Sequence, residues 1–243
     1  MPLRAARVAV AIVAAALAVS GAATAQVRPD RRDVWDLKIG KPAAEQPTDF
    51  IEYACGTNGG PPSIRLSGFA DFGKCRPDRN GLREVYFRYD DELEYWARAW
   101  DMEVEIRRFR GTQVFDFPVV TSGLFDADGN LQGVRVVTDP RNEIRDRKDF
   151  WTLANFLRHN FGATDWSCVD LPPAEGETPV GSNFVKRRCT KLYEKLKLRL
   201  DNNFYRRPGE VSVNPHTGEP VANAFESSTR FEYYAADFPL ASE

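Results

Sequence analysis

The spacing of apolar residues changes period several times along this chain, and each change marks a different element. Residues 8–19 form an unbroken apolar run behind Arg4 and Arg7. Ala23, Thr24 and Ala25 follow with the small-x-small pattern of a signal-peptidase site. Residues 1–25 therefore read as a signal peptide, with Gln26 as the first mature residue. A permanent anchor needs about 20 apolar residues, more than this run offers, so no transmembrane anchor is expected in the mature chain. The expected location is periplasmic or secreted.

Residues 26–50 are rich in charge and proline and read as an N-terminal arm, with a short strand expected over residues 34–39. Residues 54–82 hold Gly-Gly-Pro-Pro and Asn80-Gly81 and read as a cross-linked loop with a tight turn. Alternation at Val85, Phe87 and Tyr89 predicts a half-buried strand. Leu93, Trp96, Ala97 and Trp100 then fall at helical spacing behind Asp90 and Asp91, which predicts a short capped helix with its tryptophans in the core. Residues 102–109 and 113–120 read as strands, with Pro118 placing the second at a sheet edge or bulge. Residues 124–137 read as a hairpin closed at residues 126–130. The strongest helical stripe is Phe150, Leu153, Ala154, Leu157 and Phe161, stopped by Gly162. Residues 191–203 fit two periods. Val185, Cys189, Leu192 and Leu196 match a helix, while Leu196, Leu198 and Leu200 match the strand preferred here. Residues 215–218 read as a turn and residues 229–235 as a last strand.

Together these elements predict an α+β fold: a mainly antiparallel sheet with one clear amphipathic helix at about 147–161 and a second short helix. The expected domain is residues 51–243. Its cysteines are Cys55, Cys75, Cys168 and Cys189, an even number suited to an oxidising compartment. Four cysteines allow three pairings. Nearest-neighbour pairing, Cys55 with Cys75 and Cys168 with Cys189, closes two loops of similar length. Each would contribute roughly 3 kcal/mol on the chain-entropy model. The two loops also resemble one another. Cys55 and Cys168 each precede a Pro-Pro pair, and each second cysteine follows a basic residue, Lys74 or Arg188. Duplication into halves 51–140 and 141–243 would account for this. Chance accounts for it slightly better, since Gly, Pro and Cys are common in loops of exported proteins.

Composition adds limits. Hydrophobic content of 42% and aromatic content of 12% suffice for a folded core. Loss of Arg4 and Arg7 with the leader takes Lys+Arg from 33 to 31 against 35 acids, giving −4 in the mature chain. That balance makes no case for nucleic acid. Locally the charge is uneven. Residues 184–207 carry nine basic residues opposed only by Glu194 and Asp201. A strand there would set Lys195, Lys197 and Arg199 on one face, opposite the leucines, as a candidate binding surface. The plainer reading is a solvated face.

Catalytic signatures are sparse. There is no H-E-x-x-H, P-loop, dinucleotide fingerprint or G-x-S-x-G. The Asp-x-Asp-Gly-Asn of residues 126–130 lacks calcium-loop spacing and reads as a turn, so neither a metal nor a cofactor is expected. His159 falls on the polar side of its helix and His216 lies in a turn. The remaining candidates are Asp90, Asp91, Glu92 and Glu94 beside Tyr95 and Trp96, since paired carboxylates can cut glycosidic bonds. Capping of the helix start explains the same acids more simply. The residues carry no resemblance to a known family. The sequence thus favours a non-enzymatic exported protein that binds an anionic envelope component or another exported protein. The alternative is an envelope polysaccharide or peptidoglycan hydrolase using the carboxylates at 90–94. N-terminal sequencing of the exported protein should find a chain starting at or near Gln26; residues 1–25 retained in a membrane fraction would defeat that reading.

Overall fold

Strand alternation organises the molecule, because each strand must bury one set of side chains and leave the other set on a second face. The computed structural model describes residues 32–56, 64–89, 92–105, 112–139, 150–207, 212–213, 220–221 and 225–239. They belong to one compact unit, Arg31–Glu243. The strands are β1 (Glu52–Cys55), β2 (Arg65–Leu66), β3 (Arg83–Arg88), β4 (Thr112–Val114), β5 (Phe117–Phe125) and β6 (Leu131–Thr138). They continue as β7 (Ser167–Asp170), β8 (Val185–Tyr193), β9 (Leu196–Tyr205), β10 (Ser212–Val213), β11 (Pro220–Val221) and β12 (Glu226–Ala235). The helices are α1 (Glu92–Ala99) and α2 (Phe150–Asn160), with short 3-10 turns at Val34–Asp36, Ala43–Glu45 and Phe69–Lys74.

The main sheet runs β2-β1-β3-β5-β6-β12-β9-β8-β7, with β4 added to β5 in line with β3. Every named pairing is antiparallel. Outward from the central β6–β12 pair lie a five-strand run, β6-β5-β3-β1-β2, and a four-strand run, β12-β9-β8-β7. β10 and β11 form a separate two-stranded ribbon. Among the described residues, no helix is long and apolar enough to cross a membrane.

One row of paired residues shows how the core is laid down. Cys168, Cys189, Leu200, Phe231, Val136, Thr121, Phe87 and Tyr53 stand opposite one another across eight strands. The helical stripe covers this face: Leu153, Ala154, Leu157 and Phe161 are all buried with it. Gly162 ends the segment at φ +82, the left-handed conformation that favours glycine. Both disulfides form as expected, Cys55–Cys75 and Cys168–Cys189. The second joins residues directly opposite on β7 and β8.

Four local expectations need correction. Residues 34–39 do not form a strand. The Asp33 carboxylate accepts the Trp35 N–H at 2.7 Å, Asp36 accepts the Asp33 N–H at 2.9 Å, and this reciprocal cap winds Val34–Asp36 into a 3-10 turn. Far from dangling, that turn seals the covered face. Val34 is buried, the Tyr233 hydroxyl donates to its carbonyl at 2.9 Å, and the Trp35 ring packs on Phe161, Phe231 and Tyr233. Gln46 braces the following loop by bonding the backbone N–H and carbonyl of Lys38.

Residues 113–120 are not one strand. They split into β4 and β5 around Phe115 and Asp116, both at positive φ (52° and 63°). That is the geometry of a two-residue hairpin turn, built here without the usual glycine and so invisible to turn rules. Pro118 therefore sits at the start of an internal strand, facing β4 rather than a sheet edge. Residues 103–105 are helical rather than extended, and residues 106–109 of that expected strand lie outside the described residues. Trp100 is exposed, not core. The expected turn at residues 215–218 also lies outside the described residues.

Leu157 is 0% exposed, so Leu157→Ala should cost about 2–5 kcal/mol in a denaturant melt. His159 is exposed on the opposite side of α2, so His159→Ala should cost less than about 0.5 kcal/mol.

Candidate functional site

The other face of the sheet is polar where β6, β12, β9 and β8 meet. Strand alternation puts Arg188, Asp201 and Arg230 in one cross-strand row, and Arg199, Glu232 and Arg135 in the next. Signs alternate both along the strands and across them, so each acid has arginines on several sides. Asp201 accepts from Arg188 Nε at 2.9 Å and from Arg199 Nε and Nη2 at 3.0 and 2.7 Å. Glu232 accepts from Arg135 Nε at 2.6 Å and from Arg230 Nε at 2.8 Å. Arg135 also reaches Glu84 at 2.6 Å, and Glu84 in turn accepts the Ser122 hydroxyl proton.

These groups line a cleft of about 590 Å³, with the turn at Asp78, Arg79 and Asn80 as one wall. Asp78 shapes that wall by accepting the Asn80 and Leu82 N–H groups. Seven lining residues are basic and three are acidic; Glu84, Glu177 and Asp170 pair with three of the seven from beside the lining, so the excess of positive charge is one, in a chain of net negative charge. At its lower end Lys186 is held by Glu177 at 2.8 Å and stands 5.5 Å from the Tyr205 ring centroid, while Arg207 donates to the Tyr205 hydroxyl at 2.7 Å. Burial pushes the Glu177 carboxyl up, but its bonds from Lys186 and the Ala174 N–H outweigh that and leave it below the ordinary value.

Glu232 sets the electrostatics. Burial alone would raise its carboxyl; Arg230 and Arg135 overcome burial and lower it to about 2. Burial likewise works against the charged form of Arg135, and Glu84 and Glu232 reverse it and raise the guanidinium above its ordinary value. The paired acids do not cancel the site. They grip arginines on the Nε side and fix the guanidinium planes, and such planar forks recognise carboxylate and phosphate oxygens.

Of the basic residues singled out in the sequence, Arg199 lies in this cleft. Lys197 shares its face, but its ammonium donates to the Phe238 carbonyl at 2.8 Å and ties down the C-terminal segment. Lys195 is exposed in the turn between β8 and β9. Arg135, Arg230 and Glu232 were missed because they come from strands distant in sequence. Their trace was the repeated Arg-x-acid pattern, Arg199-x-Asp201 and Arg230-x-Glu232, which in a strand puts both charges on one face.

Of the acidic candidates, Glu94 is 0% exposed and takes Arg88 on both oxygens (2.5 and 2.6 Å) and Arg98 at 2.7 Å. It pins α1 to β3. Asp90 and Asp91, and the side chain of Glu92, lie outside the described residues. Asp126 closes the β5–β6 turn by accepting the Asp128 and Asn130 N–H groups. His216 lies outside the described residues. Among the described residues, no His, Cys, Asp and Glu side chains are grouped as a metal site.

No protein-family model, curated protein or solved structure matches the chain.

A carboxyl held below its unfolded value stabilises the fold above that unfolded value, near 4.3, and ceases to do so as pH falls through the folded value. Stability should therefore drop between about pH 4.3 and the folded value of about 2, and Glu232→Gln should flatten that drop in an acid titration followed by circular dichroism. Glu232→Ala strands two arginines and should cost about 3–5 kcal/mol at neutral pH.

Proposed function

We propose that this is an exported, non-enzymatic binding protein of the cell envelope and that the arginine-lined cleft receives an anionic envelope component. The observation that carries the reading is the lattice of Arg188, Arg199, Arg135 and Arg230 fixed by Asp201 and Glu232 in one cleft. Pre-ordered guanidinium groups lose little freedom on meeting carboxylate or phosphate, and a cleft with an excess of one sign of charge concentrates the opposite sign. Export is supported by the apolar leader with its Ala-Thr-Ala site and by two disulfides, which persist in oxidising compartments. A hydrolase would need two carboxylates facing substrate, and Glu94 is committed to two arginines.

The same reading admits an old duplication. Support comes from the two runs that meet at β6 and β12, with Cys55 on β1 and Cys168 on β7, each the fourth strand of its run, although β2 extends the first run by one more. The second cysteines do not correspond, since Cys75 precedes β3 while Cys189 lies within β8.

Binding to polygalacturonate and to phosphatidylglycerol vesicles tests the cleft. The protein should bind at least one of them, and added salt should weaken the binding by screening. Arg79 is exposed, so Arg79→Gln should change stability by less than about 0.5 kcal/mol; Arg230 is 38% exposed but partners the buried Glu232, so adding Arg230→Gln should cost about 1–3 kcal/mol, and binding is compared on the folded variant. The same double change should weaken binding about tenfold or more. Unaltered binding by the double variant would remove the cleft as the surface.

A further inference from the structure

The two disulfides close loops of similar length but sit in different surroundings. Cys75 is 2% exposed within the core, and Cys55 packs half-buried against it. The second bond is lopsided. Cys189 is 4% exposed and belongs to the core, whereas Cys168 lies on β7, all four residues of which are exposed. β7 ends the sheet. It pairs with β8, and among the described residues no strand covers its outer edge. One half of the Cys168–Cys189 bond therefore belongs to an open sheet edge and the other half to the core.

That asymmetry decides how each bond meets an incoming thiol. Exchange requires approach to one sulfur while the other departs, and exposed disulfides are the exchangeable ones. The core closes the approach to Cys75, while Cys168 stands open. Departure from Cys189 is also favoured. Alternation along β8 puts Arg187 and Lys191 on the face of Cys189, two residues to either side. Lys191 is held by neutral partners, the carbonyls of Gly162 and Thr164, both at 2.9 Å, which leave its charge uncancelled. Cationic neighbours favour a thiolate. Besides the disulfide, β7 is held by its pairing with β8 and by the Asp170–Arg187 ion pair, whose partners are both exposed, so that pair contributes little. The edge strand can therefore yield without disturbing the pairings inward of β8.

We propose that Cys168–Cys189 is a thiol-exchange site that reacts with a protein dithiol, and that Cys55–Cys75 is a permanent cross-link. A thiolate of the dithiol attacks Cys168 Sγ. A mixed disulfide forms there, the Cys168–Cys189 bond breaks, and its electron pair leaves on Cys189 Sγ, which takes a proton from water. The partner's second thiol gives its proton to water and attacks the partner's own sulfur in the mixed disulfide. Cys168 then departs as a thiolate and is protonated. Two electrons pass from the dithiol, which ends as a disulfide, to the pair, which ends as two thiols. None of these steps depends on what the arginine-lined cleft binds.

Reduced thioredoxin is the probe dithiol, added to the mature, folded, fully oxidised protein. Freed thiols are alkylated and mapped by mass spectrometry while circular dichroism follows the sheet. Cys168 and Cys189 should be labelled at least about ten times faster than Cys55 and Cys75, with the sheet spectrum retained. A thioredoxin whose second active-site cysteine is replaced by serine cannot complete the exchange and should be trapped on Cys168. Equal or reversed labelling rates, or no labelling of Cys168 in the folded protein, would overturn the proposal. So would trapping on any other cysteine. Labelling that appears only as the sheet spectrum is lost would also overturn it, by showing that the bond serves the fold.

Discussion

The pairing of β6 with β12 is the constraint on which the rest of the sheet depends. It joins the two halves of the sheet, and its register decides which side chains reach each face. In the observed register Phe231 meets Val136 on the covered side and Glu232 meets Arg135 on the polar side. Tyr234 lies over Gly133, where any Cβ would collide with the ring. A slip of one residue would turn Glu232 into the core and Phe231 into the cleft, because strand side chains alternate with period two. The glycine, the ion pair and the aromatic contact therefore all select the same alignment.

The covered face and the cleft are two consequences of that single alternation. On β12, Phe231 and Tyr233 join the core while Arg230 and Glu232 join the charged lattice. On β9, Leu198 and Leu200 do the former and Arg199 and Asp201 the latter. Burying charge is unfavourable unless each group is paired, and the checkerboard supplies that pairing with arginine–carboxylate contacts of 2.6–3.0 Å. The excess of arginine over acid keeps the lattice cationic.

The sequence by itself determined the elements whose signal is local. The Leu153–Phe161 stripe, the glycine stop at Gly162, the two nearest-neighbour disulfides and the leucine alternation on β9 were all legible, because period, turn chemistry and loop length are written within a few residues. Trp35 and the Phe115–Asp116 turn were not. The first follows a cap that competes with strand pairing, and the second places a bulky residue at positive φ because the flanking strands hold it there.

Only the tertiary structure decided where chemistry gathers. Arg135 and Glu232 stand 97 residues apart, and nothing in either segment announces the other. The basic stretch at 184–207 proved to be a hairpin whose charges divide between two faces, with Arg188 and Arg199 in the cleft and Lys186 and Arg187 lining both the cleft and a concavity beside α2. Charge density along the chain therefore did not define the site. The physical reason is that strand alternation disperses neighbours in sequence, while cross-strand register brings distant residues into contact.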